Sequence, residues 1–219
     1  MRFATMPKPA AAPRNRSSKS AEGTASDSIW FWGELTSAWA RARLGDRVTG
    51  MTELRQALAA YADQGNKSHV PFFQGRLAEL EAAGQEAEAA LAHVDEALAL
   101  AEQTEQRWTD SFLHRIRGDI LLKADPENPA RVEEAFLTAI AVAREQGARS
   151  FGLQAVLKLA KLYQSTGRLV EAHAVLAPAL EGFSPTPEMP EIVEARALLE
   201  RLARGGEGAI LADGRPIWR

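Results

Sequence analysis

Apolar residues recur at helical spacing along most of this 219-residue chain, and glycine or proline interrupts them at regular intervals. Met51, Leu54, Leu58 and Tyr61 lie three or four residues apart, the spacing that gives a helix one apolar face. The pattern predicts a leading helix over 29–44 that stops at Gly45, where a glycine can take the left-handed turn that closes a helix, and a partner helix over 48–62. A third helix starts near Ser68, a candidate cap, with Pro71 in its first turn where proline is tolerated, and ends at Gly84. Further helices follow over 86–103, 109–124, 132–147, 151–167 and 169–183. Beyond the break Ser184–Pro190, a helix over 191–203 reads as a terminal cap.

These helices fall into copies of one unit. An Ala-plus-aliphatic pair recurs at Ala57-Leu58, Ala97-Leu98, Ala139-Ile140 and Ala179-Leu180, in steps of 40, 42 and 40 residues. A second small residue precedes each pair, at Ala38, Ala78, Gly118 and Ala160. Two small positions locked to one period imply a helical hairpin copied four times. The extra turn residues around Asp125-Pro126 and Asn128-Pro129 account for the one longer step. Small residues let two antiparallel helices approach closely, and each hairpin then leaves an apolar face for its neighbour to bury. Gly118→Leu or Ala160→Phe should therefore cost on the order of 1–3 kcal/mol through overpacking. The units span about 28–64, 68–104, 108–146 and 150–183, with a capping helix over 188–204, inside a repeat domain of 27–204.

Composition agrees with an all-α chain: Ala and Leu dominate a 46% hydrophobic content, with 7% aromatic. No apolar run approaches the roughly 20 residues that cross a bilayer, and no membrane partner is expected. With no cysteine there is no disulfide framework or thiolate zinc site, which fits a reducing, cytoplasmic setting. A net charge of −3 argues against general nucleic-acid affinity. Residues 1–26 carry Arg2, Lys8, Arg14, Arg16 and Lys19 against Glu22 and are rich in Pro, Ala and Ser, so they read as a disordered basic tail. Residues 205–219 read as a Gly-rich flexible tail.

The search for chemistry finds no site to defend. Gly65-Asn66-Lys67-Ser68 lacks the first glycine of a phosphate loop and has asparagine where glycine must precede lysine. None of His69, His93, His114 and His173 pairs with another at the spacing of a helical zinc site; His93 and His173 read as structural residues and His114 as solvent-exposed. Glu79-Leu80-Glu81 and Glu133-Glu134 read as solvated faces. Neither catalytic residues, nor cofactor, nor metal is expected.

The repeat pattern resembles the tetratricopeptide repeat (TPR). Its small position 8 maps to Ala38, Ala78, Gly118 and Ala160, position 20 to Gly50, Ala90, Val132 and Ala172, position 24 to Leu54, Val94, Phe136 and Leu176, and position 27 to Ala57, Ala97, Ala139 and Ala179. Tyr163 fits the aromatic at position 11. The proline of position 32 is missing, and the period is about 40 against the usual 34. A narrower likeness over about 45–203, carried by EALALAEQTEQRW, LHRIRGDILL, AIAVAREQGARSFGLQA, LAKLYQSTGR and EAHAVLAPALEGF, is similar to the C-terminal repeats of bacterial regulators that join a class III adenylate/guanylate cyclase or a DNA-binding domain to an AAA-like ATPase. The resemblance implies a right-handed α-solenoid of about four helix pairs plus a capping helix, serving as a non-catalytic protein-interaction module detached from such a regulator.

It also implies a groove. Trp32, Phe72 and Phe112 sit 40 residues apart at position 2 of the leading helices, and Gln154 breaks the series. With Trp39, Glu79, Arg115, Asp119 and Lys161 they would line a surface for a peptide helix or an extended acidic segment. The competing expectation is that at least two of the three aromatics pack as core. The alternative function is a small-ligand-sensing domain that controls a cyclase or ATPase, which calls for a pocket combining aromatics with converging polar groups.

Overall fold

A computed structural model describes residues 21–65, 67–84, 86–183 and 189–206. Expectations for residues 1–20 and 207–219 fall outside these. Among the described residues every regular element is helical. The helices are α1 (Ala21–Arg43), α2 (Arg47–Asp63), α3 (Val70–Ala83), α4 (Ala87–Gln103), α5 (Asp110–Ala124), α6 (Pro129–Glu145), α7 (Arg149–Ser165), α8 (Leu169–Ala179) and α9 (Pro190–Gly206), with a 3₁₀ turn at Arg107–Thr109.

Three boundaries correct the sequence reading. Helix α1 starts at Ala21, so residues 21–26, expected in the tail, are helical. Ala and Glu favour helix, and a lone Gly23 costs only about 1 kcal/mol, which a long helix tolerates. Helix α9 runs to Gly206, two residues past the expected cap. The residue before α3 is His69, and the Ser68 hydroxyl lies 3.1 Å from His69 Nδ1 where a cap bond was expected. By contrast, Asp46 caps α2, its Oδ1 accepting from the Thr49 amide at 3.3 Å.

Packing is local. α1–α2, α3–α4, α5–α6 and α7–α8 form hairpins; each odd-numbered helix from α3 onward also packs on the two helices before it. Most of the positions that set the period are buried in this packing. Ala38, Ala78 and Ala160 are buried, as are Gly118, all four residues Gly50, Ala90, Val132 and Ala172, and the larger Leu54, Val94, Phe136 and Leu176. Ala97 and Ala139 are fully buried, whereas Ala57 and Ala179, in the first and last hairpins, are half-buried. At Gly118 a Cβ would fall 2.6 Å from Phe136 Cδ1 and nearer still to Cε1, so α5 meets the ring of α6 through a bare backbone.

Helix α9 continues the register. Ala195 and Leu202 lie forty residues after Ala155 and Leu162, and all four are buried. Forty residues after Ala160, however, stands the exposed Glu200. A partner helix packed there would bury a carboxylate, a large cost without a counter-charge.

Candidate functional site

The expected groove residues project from α1, α3, α5 and α7, and contacts join all of them except Lys161, which pairs separately with Glu194. The Arg76 guanidinium of α3 lies 4.7 Å from the Trp39 ring centroid, 5.2 Å from Phe72 and 4.8 Å from Phe112. It donates to Glu79 Oε2 at 2.9 Å, while Glu79 Oε1 accepts from Arg115 Nη2 at 2.8 Å. Arg115 Nη1 donates onward to Asp119 Oδ2 at 2.7 Å, and Lys158 Nζ reaches Asp119 Oδ1 at 2.9 Å. Across the next interface Lys161 pairs with Glu194 at 2.5 Å, and Gln154 Nε2 donates to Glu191 Oε1 at 3.0 Å. A run of ion pairs thus links α3, α5 and α7, and a separate pair links α7 to α9. Charge pairs on one helix follow from the i,i+3 and i,i+4 spacing of Arg76–Glu79 and Arg115–Asp119; the bonds between helices join residues 33 to 39 apart in the chain, a little under one repeat.

This pairing changes the chemistry expected of the surface. Arg115 is 7% exposed and already holds two carboxylates. Lys161 holds a third. Cations so engaged have little left to offer an acidic ligand. Burial works to raise the Glu79 carboxyl, but the charges of Arg115 and Arg76 outweigh it and hold the group below the usual carboxylate range.

The aromatics divide. Phe112 is fully buried, while Trp32 and Phe72 are half-buried at the edge of the core. Ring contacts run from Trp32 to Phe72 (6.2 Å), Phe112 (4.9 Å) and Phe151 (5.8 Å). Phe151, one turn before Gln154, resumes the series that Gln154 breaks. Sequence reading also missed Trp108 and His69. Trp108 is 39% exposed, stacks on Phe72 at 5.7 Å and touches His69 at 5.9 Å; His69 meets Trp32 at 4.9 Å. The forty-residue offset between Ser68 and Trp108, whose indole N–H points to the Ser68 carbonyl at 3.4 Å, is the signal that would have found this pair.

Compared with protein-family models, curated proteins and solved structures, the chain gives no match.

Two acidic clusters read as solvated are inter-helix clasps instead. Glu81 is 1% exposed; its carboxylate accepts from Arg55 of α2 at 2.9 Å and contacts His93 Nδ1 of α4 at 2.5 Å. Glu133 accepts from the Tyr163 hydroxyl at 2.7 Å and from Arg168 Nη1 at 2.6 Å. The Arg168 bond holds the Glu133 carboxyl below its usual range. Burial, then the bond to Glu133, pushes the Tyr163 phenol up to about 12. Glu134 is exposed, as expected. His114, expected at the surface, is half-buried, and burial lowers its imidazole.

No group of three or more metal-ligating side chains occurs among the described residues, and no described helix is long and apolar enough to cross a membrane. A cleft of about 430 Å³ opens between α1 and α2, lined by Glu34, Ser37, Glu53, Gln56 and three alanines. It holds no aromatic side chain, so it lends nothing to the small-ligand reading.

Proposed function

We propose that the chain is a non-catalytic protein-interaction module built as a divergent, right-handed TPR-like solenoid, the detached repeat region of a bacterial signalling regulator. The observation that supports the reading is the run of ion pairs from Arg76 to Lys158, with Lys161–Glu194 beyond it, which ties each odd-numbered helix from α3 to α9 to the next. A surface so composed is largely charge-paired and edged by half-buried Trp32, Trp39 and Phe72, the residue types that anchor protein interfaces. Its partner is a folded segment that presents apolar anchors to these aromatics, in place of the acidic segment expected from Arg115 and Lys161 alone. The tie to a cyclase or ATPase regulator rests on the quoted sequence strings and stands as part of the proposal.

The test is site-specific photocrosslinking. A crosslinker at Trp39 or Lys158 should give one discrete adduct with a regulator's catalytic domains or another protein, whereas one at Leu137, exposed on α6, should give none. Equal labelling from all three positions, or no adduct, overturns the reading.

A further inference from the structure

Helix α9 packs on α7 and α8 and has no hairpin mate among the described residues. The forty-residue register identifies its open side. In α7, Leu153, Leu157 and Ala160 are buried in one cluster with Ala172 and Leu176 of α8. Forty residues on stand Val193, Ala197 and Glu200, with Arg204 one turn further. Val193 is 51% exposed, Glu200 and Arg204 are exposed, and Ala197 keeps part of its surface in solvent. Helix α9 thus turns to water the stripe that α7 buries against its neighbours.

That stripe has the spacing of a seam between two helices. Val193, Ala197, Glu200 and Arg204 fall four, three and four residues apart, the alternation that keeps side chains facing a partner helix. They run about 16 Å along α9, and Ala197 near their middle is small enough for close approach. The charges select the partner. A hairpin mate runs antiparallel, and a second α9 related by a two-fold axis is antiparallel by symmetry. Centred between Leu198 and Leu199, such a pairing sets Val193 opposite the aliphatic stem of Arg204 and Ala197 opposite Glu200. Beside the seam it sets Glu194 opposite Arg201, and symmetry makes that contact twice. Glu200, costly against a helix without a counter-charge, has Arg204 of its own helix at the i,i+4 spacing and Arg201 of the second copy within a turn.

We propose that α9 pairs with α9 of a second copy of this chain about a two-fold axis, each supplying the helix that the other's last hairpin lacks. Such an interface closes on itself and stops at two chains. It is small, so the chain is a monomer at low micromolar concentration and a dimer only from roughly tens of micromolar upward. The pairing uses no residue of the aromatic edge and is independent of the partner proposed there.

Sedimentation equilibrium of the full chain tests this. The mass should rise with concentration from one chain to two and no further. Arg201→Glu sets Glu194 against a second carboxylate, and Glu194→Arg sets Arg201 against a second cation. Each variant alone should therefore dimerise about tenfold more weakly or worse. An equimolar mixture of the two should dimerise as the parent does, because both contacts then join opposite charges. Glu194 also holds Lys161, so Val193→Asp, which leaves that bond intact, gives a second arm and should abolish the dimer. Leu137→Asp, on the exposed face of α6, should change nothing. A chain that stays monomeric to roughly millimolar concentration, or a mass that climbs past two chains, overturns the proposal. So does a mixture no tighter than its separate variants, a dimer that survives Val193→Asp, or one that Leu137→Asp weakens equally.

Discussion

Three helical glycines allow one substitution to be made in three surroundings. Gly→Ala in a helix interior is worth about 0.5–1 kcal/mol of stability by propensity alone. At Gly33 a Cβ meets nothing within 4 Å, so the full gain should appear. At Gly152 it meets Ala143 Cβ at 3.4 Å, an ordinary contact, and most of the gain should survive. At Gly118 it would lie 2.6 Å from Phe136 Cδ1 and 3.0 Å from Cζ, and Phe136 is fully buried and cannot swing aside. Forcing α5 and α6 apart costs about 1–3 kcal/mol and overrides the propensity gain, leaving G118A about 1–2 kcal/mol less stable than the parent. In thermal melts a chain of this size shifts by roughly 2–4 °C per kcal/mol. G33A should therefore melt a few degrees higher and G118A a few degrees lower. In a Phe136→Leu background, G118A should lose much of its penalty. A G118A chain as stable as G33A would refute the claim that this glycine exists for the Phe136 ring.

Other perturbations follow from named contacts. Glu105 holds φ 56° between α4 and α5, where the matching turns use Gly65 (φ 82°) and Gly147 (φ 65°); Glu105→Gly should add about 0.5–1 kcal/mol, read as a raised denaturation midpoint. The Tyr163 phenol, raised from 10.0 to about 12, contributes stability that is complete below pH 10 and is lost as pH climbs through about 12. Stability should fall more over that window in the parent than in Tyr163→Phe, read by urea titration at pH 9 and pH 12. Glu79 has the opposite sign: its depressed carboxyl contributes stability above its ordinary 4.5, lost as pH falls through the lower folded value. Glu79→Gln should remove that acid limb and, by leaving buried Arg115 with Asp119 alone, cost about 2–3 kcal/mol at neutral pH by urea titration.

The parts of this fold legible in sequence are those that repeat. Helix spans, small contact positions and the aromatic period each recur along the chain, and a register needs no knowledge of which faces meet. What escaped reading is what two different helices make together. Glu81 looks like a surface residue because its partners, Arg55 and His93, lie 26 and 12 residues away on other helices. Arg115 and Lys161 look like free cations for the same reason. Trp108 escaped because it sits in a 3₁₀ turn ahead of α5, off the leading helices that carry the aromatic period.

Among the described helices the substantial contacts join neighbours one or two places apart, which gives this region the character of a spring. A load applied at α1 is carried only by the interface beside it, so deformation spreads through small rotations at successive joints. Amide exchange should accordingly slow from both ends toward α5, with α1 and α9 opening first and the middle hairpins holding the turns together.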